Sequence, residues 1–218
     1  MGSCSHHNNY INFVKSRQSF VKIEMIAYDN TCLTSLGCDI TFIIGSGSGS
    51  HVLVKGKKYI LTAGHICNKD DAILQGLAQG RAIDIDIFAI DLDENRYLLQ
   101  QKKINLQTDL CLLINESLNT PTLELAMRPP EIGDKVFNFA APAGIFKRDM
   151  VPIIDGIYNG KYYNNGAYTL AAMGGSSGSP IVDRHGNLIG MVHSVHSRFP
   201  YFSLSPTYYS LRNFLFSP

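Results

Sequence analysis

The chain has no excess of charge of either sign: nineteen Lys and Arg face eighteen Asp and Glu, a net charge of +1 over 218 residues. That excludes a globally basic nucleic-acid binder and leaves only a local basic patch open. Also missing is any apolar run near the roughly 18 residues that cross a bilayer. The first twenty residues, Met1 to Phe20, are polar and lack the apolar core of an export signal. Met1-Gly2-Ser3-Cys4-Ser5-His6 opens like a myristoylation site, but His6 stands where Ser or Thr is wanted. A soluble, cytoplasmic protein with no membrane partner and no nucleic-acid partner is the expectation. No CxxC pair or zinc-finger spacing exists among Cys4, Cys32, Cys38, Cys67 and Cys111. An odd count without a signal peptide predicts reduced thiols, although the turn-like Thr34–Gly37 leaves a Cys32–Cys38 hairpin disulfide open. Cys111 reads most simply as a small buried apolar residue.

What is present is 45% hydrophobic residues, enough for a core and too much for disorder. Val21–Met25 and Ile83–Ile87 alternate apolar and polar, as strands with one dry face do. Short apolar runs follow at Asp39–Ile44, Tyr59–Ala63, Asp109–Ile114, Lys135–Ala140 and Leu188–His193. Turn residues separate them at Lys55–Lys58, Asp91–Asn95, Tyr163–Gly166 and Asp183–Asn187. Many short strands with few helices predict an all-β barrel or sandwich. Two helical segments are expected. One is a short turn from His65 through Cys67. The other is a C-terminal helix over Thr207–Phe216, with Ser205 as N-cap, Pro206 at its first position, and Tyr208, Leu211, Phe214 and Leu215 on one face. Pro121, Pro129 and Pro130 mark a connection between two halves.

Three stretches carry chemistry, in this order: Ile60-Leu61-Thr62-Ala63-Gly64-His65, Thr108-Asp109-Leu110-Cys111-Leu112-Leu113, and Gly174-Gly175-Ser176-Ser177-Gly178-Ser179-Pro180. A serine alcohol is a weak nucleophile near neutral pH. It needs an imidazole to take its proton and a carboxylate to hold that imidazole in the right tautomer. Gly174–Gly178 also spells GxSxG, which would make Ser176 the nucleophile of an α/β-hydrolase elbow. That fold wants strand–turn–helix around the serine and the order Ser, acid, His, neither of which this sequence offers. His185, His193 and His196 lie close in sequence, but His193 and His196 would face opposite sides of a strand. No carboxylate or cysteine cluster completes a shell, so no metal and no cofactor are expected. Lys55, Lys57 and Lys58 read as a solvated hairpin tip.

These motifs resemble those of the trypsin-like, chymotrypsin-fold serine proteases, in the bacterial HtrA-like branch. Gly45-Ser46-Gly47-Ser48-Gly49 is similar to that branch's lead-in, and Gly133-Asp134-Lys135-Val136 with Ala141-Pro142-Ala143-Gly144 to its later glycine–proline segment. The resemblance implies two packed six-stranded antiparallel β-barrels, residues 19–118 and 132–205, joined by 119–131. A 1–18 extension would precede them, and a helix at 206–218, with no peptide-binding PDZ domain, would follow. It implies a serine endopeptidase acting on polypeptides, with His65 as general base, Asp109 as its orienter, Ser177 as nucleophile, and the Gly175 and Ser177 N–H groups as oxyanion hole. A catalytically degenerate binding module is the alternative.

Departures from the pattern refine these expectations. Ser176 replaces the aspartate that pairs with a freshly cut N-terminus, so activity without such processing is expected. Cys67 lies two residues past His65, not directly after it, which predicts that the family disulfide is absent. Ala171, beside Ala172, stands at the expected pocket base, with His193, Ser194 and Val195 opposite. That favours a small-to-medium apolar P1 side chain over Lys or Arg. If a bulge brought His193 into the pocket, Glu or Gln selectivity would follow. Gly45–Gly49 itself reads as a strand-edge turn without chemistry.

Overall fold

Period-two patterning becomes strand wherever the apolar half of the pattern can be buried. In the computed structural model, which describes residues 13–29 and 41–217, Ile85 and Ile87 of the alternating run point inward, and Asp84 stays exposed. The Cys32–Cys38 pair, the start of Asp39–Ile44, and Cys4, His6 and His7 lie outside the described residues.

The first sheet contains β1 (Phe20–Asp29), β2 (Thr41–Val54), β3 (Lys57–Ala63), β4 (Ile83–Ile90), β5 (Arg96–Leu98), β6 (Gln100–Asn105) and β7 (Leu110–Ile114). Its order is β5-β4-β1-β2-β3-β7-β6. The second contains β8 (Lys135–Phe139), β9 (Ile153–Tyr162), β10 (Asn165–Tyr168), β11 (Pro180–Asp183), β12 (Leu188–Met191), β13 (Ser194–His196) and β14 (Phe199–Pro206), in the order β12-β11-β8-β9-β10-β14-β13. Both are antiparallel and curl, as expected for two packed barrels, but each holds seven strands rather than six. The reason lies at the sheet ends. β5 and β6 are consecutive in sequence and break only at Leu99, while β12 and β13 break only at Val192-His193. One strand bends at a corner in each half and pairs with both edges, which removes the open edges a flat sheet would expose.

Ile23, Leu61, Ile87, Leu110 and Leu113 fill the first core, and Val136, Tyr168, Leu170, Ile181 and Ile189 the second. The connection is stitched to both halves: Leu123 N–H donates to His51 O and Ala126 N–H to Leu188 O, each at 2.8 Å. Before β1, residues 13–18 are helical, and Phe13 sets its ring edge-on to Phe137 and Phe139 of β8.

Two helical expectations change. The C-terminal helix spans Tyr208–Phe216 and buries Tyr208, Leu211, Phe214 and Leu215 as expected, but its N-cap is Thr207, whose side chain accepts from Ser210 N–H. Ser205 and Pro206 instead end β14, where Pro206 pairs with Asn165 and Ser205 Oγ donates to Pro206 O. A helix at Asp70–Ala78 also forms. Its apolar residues Leu74 and Leu77 are largely exposed, so it lacks the buried stripe that betrays a helix in sequence.

Candidate active site

β3 ends at Ala63, and the short helix Gly64–Cys67 turns His65 out over the start of β7. Gly64 makes this approach possible, because a Cβ there would lie 3.1 Å from both Asp109 Oδ1 and Leu110 N. Asp109 sits at φ +53, an uncommon conformation for a non-glycine residue. Its Oδ2 lies 2.8 Å from His65 Nδ1, and its Oδ1 accepts from His65 N–H at 2.7 Å. The carboxylate thus holds both ring and backbone of the histidine. Burial alone would raise the Asp109 carboxyl, but the imidazoles of His193 and His65 and the His65 N–H outweigh it and hold it well below the usual carboxylate range.

Two residues beyond each partner the chain does what the sequence did not suggest. Cys67 and Cys111 form a disulfide, with Cα atoms 6.4 Å apart. The expectations of reduced thiols and of Cys111 as a plain apolar residue are therefore corrected; the bond has its partner in β7, not around Gly45–Ser50 where the family disulfide would have it. The physical reason is proximity: pairing His65 with Asp109 sets the helix Gly64–Cys67 against the start of β7, within the Cα separation a disulfide spans.

The serine loop comes from the second barrel and is locked onto the first. Ser48 N–H donates to Ser177 O at 2.7 Å, and Ser48 Oγ donates to Gly175 O at 2.7 Å while accepting from Ala141 N–H at 3.0 Å. Gly178, at φ +89, lies where a Cβ would meet Ser48 O at 2.0 Å and Thr62 Oγ1 at 2.2 Å, and Ala63 N at 3.0 Å. The loop therefore abuts the strand end that delivers His65. Gly45–Gly49 is not a turn without chemistry but part of β2, and Ser48 within it is a site residue the sequence reading missed. The available signal was the run of small residues, which lets two backbones approach closely.

Of the two candidate serines, Ser176 is buried, with Oγ accepting from Met173 N–H, whereas Ser177 is only partly buried. Gly175 lies at φ +93, and a Cβ on it would reach Ala141 O at 2.4 Å. The Gly174 carbonyl accepts from Ala143 N–H at 2.7 Å. In a planar trans peptide the N–H opposes the C=O, so this bond turns Gly175 N–H away from Ala143. Ala143 itself is held at φ +51.

Ala171 and Ala172 precede this loop, and Ala172 N–H donates to Pro200 O of β14. Ser194 and Val195 pair with Leu204 and Ser203 of β14. The His193 ring lies against Asp109 and Asn165: its Nδ1 is 3.6 Å from Asp109 Oδ2, and its Nε2 is 3.2 Å from Asn165 Oδ1. Asn165 had no signal in the sequence beyond its place in a turn.

A profile of the trypsin-like peptidase domain matches residues 47–191. No curated relative matches the sequence. Among solved structures, a serine endoprotease from Yersinia pestis superposes with a TM-score of 0.69 at 18% identity, over 94% of this chain and 64% of that one. No helix among the described residues is long and apolar enough to cross a membrane. With the profile running from β2 through β12, across both barrels and all three motifs, the chain belongs to the trypsin-like peptidase family.

Proposed function

We propose that the protein is a serine endopeptidase that cleaves polypeptides through an acyl-enzyme. Ser177 Oγ attacks the scissile carbonyl carbon as its proton passes to His65 Nε2. The tetrahedral oxyanion collapses, the C–N bond breaks, and His65 returns the proton to the leaving amine. Water, deprotonated by the same imidazole, then hydrolyses the ester. Asp109 orients His65 and stabilises the imidazolium. The Gly175 and Ser177 N–H groups receive the oxyanion, with no reorganisation at the moment of reaction.

The observation that carries this reading is the His65–Asp109 pair at 2.8 Å, next to the strand end that the Ser177 loop abuts. A groove of about 620 Å³ beside His65, floored by Met25, Phe42, Ile66 and Ile83, suits the leaving-group side of the substrate. Ala171 favours small-to-medium apolar P1 side chains. A His193 ring engaged by Asp109 and Asn165 argues against Glu or Gln selectivity.

A phosphonylating serine probe should label the intact chain and not Ser177→Ala, and that variant should lose essentially all peptide hydrolysis. Undiminished labelling or cleavage in Ser177→Ala would overturn the assignment. Peptide-library cleavage after Lys or Arg would overturn the P1 preference.

A further inference from the structure

His193 closes the corner of the second barrel, between β12 and β13, and its neighbour Val192 clasps the nucleophile loop. Gly178 N–H donates to Val192 O at 2.7 Å, and Val192 N–H to Ser179 O at 2.9 Å. Its own N–H donates to Leu204 O, so the backbone at this position is fixed from both sides. The side chain reaches back across the seam to Oδ2 of Asp109, the same oxygen that His65 Nδ1 approaches. We infer that His193 is a positioning residue of the catalytic pair, a second imidazole from the nucleophile's barrel that fixes the Asp109 carboxylate and thereby the aim of His65.

The hydrogen-bond inventory offers a route to this. Asn165 faces Nε2 and can present either its amide oxygen or, with the amide turned over, its NH2 group. Facing the NH2 group, Nε2 accepts and the ring places its Nδ1–H toward Asp109. At 3.6 Å the contact is electrostatic rather than a formed hydrogen bond, and such contacts tighten when substrate closes a site. The His193 side chain is 17% exposed and that of Asp109 20%, so water competes weakly for either group. Asp109 thus has a His65 donor on each oxygen from the first barrel and the His193 ring against Oδ2 from the second. Correct docking of the barrels becomes a condition for a correctly aimed base.

This inference rests on the peptidase reading, and the test separates the two. Asn in place of His193 puts its amide nitrogen near the position of Nδ1. Gln puts its amide nitrogen near the position of Nε2. His193→Ala should lower kcat by roughly 10- to 100-fold, the scale for outer partners that orient a reacting side chain. KM and P1 preference should stay unchanged. His193→Asn should restore most of the rate, and His193→Gln should not. Proton NMR should show the downfield His65 Nδ1 proton shifting in His193→Ala and returning in His193→Asn. A kcat within twofold of wild type in His193→Ala overturns the inference, as does rescue by Gln equal to that by Asn, or a lost preference for Glu or Gln at P1. If wild type itself hydrolyses no peptide, the peptidase reading fails. The NMR comparison then decides alone, and an unshifted His65 proton in His193→Ala overturns the positioning role.

Discussion

The two barrels share one closing device and use it for different ends. In the first, the bent strand turns at Leu99, a buried apolar residue whose N–H donates to Ile87 O. In the second, it turns at Val192-His193, where the backbone grips the serine loop and the ring faces Asp109. Each corner is a fixed point, its backbone bonded to a neighbouring strand. The first barrel fills it with packing, the second with chemistry. The division extends beyond the corners. The first barrel holds His65, Asp109 and the disulfide in one small patch, and the second supplies Ser177 on a glycine-rich loop locked onto the first barrel.

The sharpest way to break this division is at the seam. Gly178→Ala would place a Cβ at φ +89 against Ser48 O and Thr62 Oγ1. A strained backbone and a clash with β2 should together cost on the order of 4 kcal/mol. Thermal unfolding should show a large drop in Tm, with hydrolysis lost even where the variant folds; a wild-type Tm would mean that the barrels do not meet as described. Next in size is the disulfide. Closing a 44-residue span corresponds to about 2–4 kcal/mol. The Cys67→Ala, Cys111→Ala double variant should melt well below wild type under oxidising conditions and level with it in reductant. Equal melting without reductant would remove the bond from the account.

The corners themselves provide the paired test. Leu99→Ala should cost about 2–4 kcal/mol as a cavity in the first core, with kcat/KM of the folded protein unchanged. His193→Ala should do the reverse, lowering rate more than stability. If both variants behaved alike, in either sense, the distinction between a packing corner and a chemical corner would fail.

Much of this arrangement was legible in residues. The three motifs stand in the order the site needs, Ile85 and Ile87 announce a one-sided strand, and the four apolar positions of the last helix are the ones buried. What stayed hidden depends on distances between remote positions. Cys67 and Cys111 are far apart in sequence and give no spacing signal. Once His65 and Asp109 are set opposite each other, however, the helix Gly64–Cys67 lies against β7 and brings the two thiols together. Ser48 reads as part of a strand-edge turn because small residues signal a turn as readily as a close approach, and only the facing backbone of the serine loop decides between them. The seven-strand count was hidden for a related reason. A single-residue corner at Leu99 leaves no turn residues to mark it. Thr207 displaced Ser205 as N-cap because β14 continues through Pro206, a tertiary pairing that overrides the local proline signal.

The smallest expected effect sharpens the comparison through acid. His51 of β2 is buried, with Nδ1 3.0 Å from both Thr120 O and Thr120 Oγ1. Burial lowers it from the ordinary value of 6.5; the Thr120 carbonyl opposes that shift, and Lys58 adds to it. A base held below its unfolded value binds fewer protons folded than unfolded, so its contribution is complete above about pH 6.5 and is lost as pH falls through the folded value. Asp109, also lowered, keeps its contribution above its ordinary 3.8 and loses it only in stronger acid. Burial raises Tyr168 in the second core, and it stays neutral throughout. Acid should therefore loosen the first barrel before the second. Between pH 7.5 and 5, amides of β2 and β3 should lose hydrogen-exchange protection, corrected for intrinsic rates, while those of β10 and β14 keep theirs. His51→Gln should flatten the Tm profile over that range. Protection lost equally in both barrels, or a His51→Gln profile as steep as wild type, would show that acid reaches the fold by some route other than this histidine.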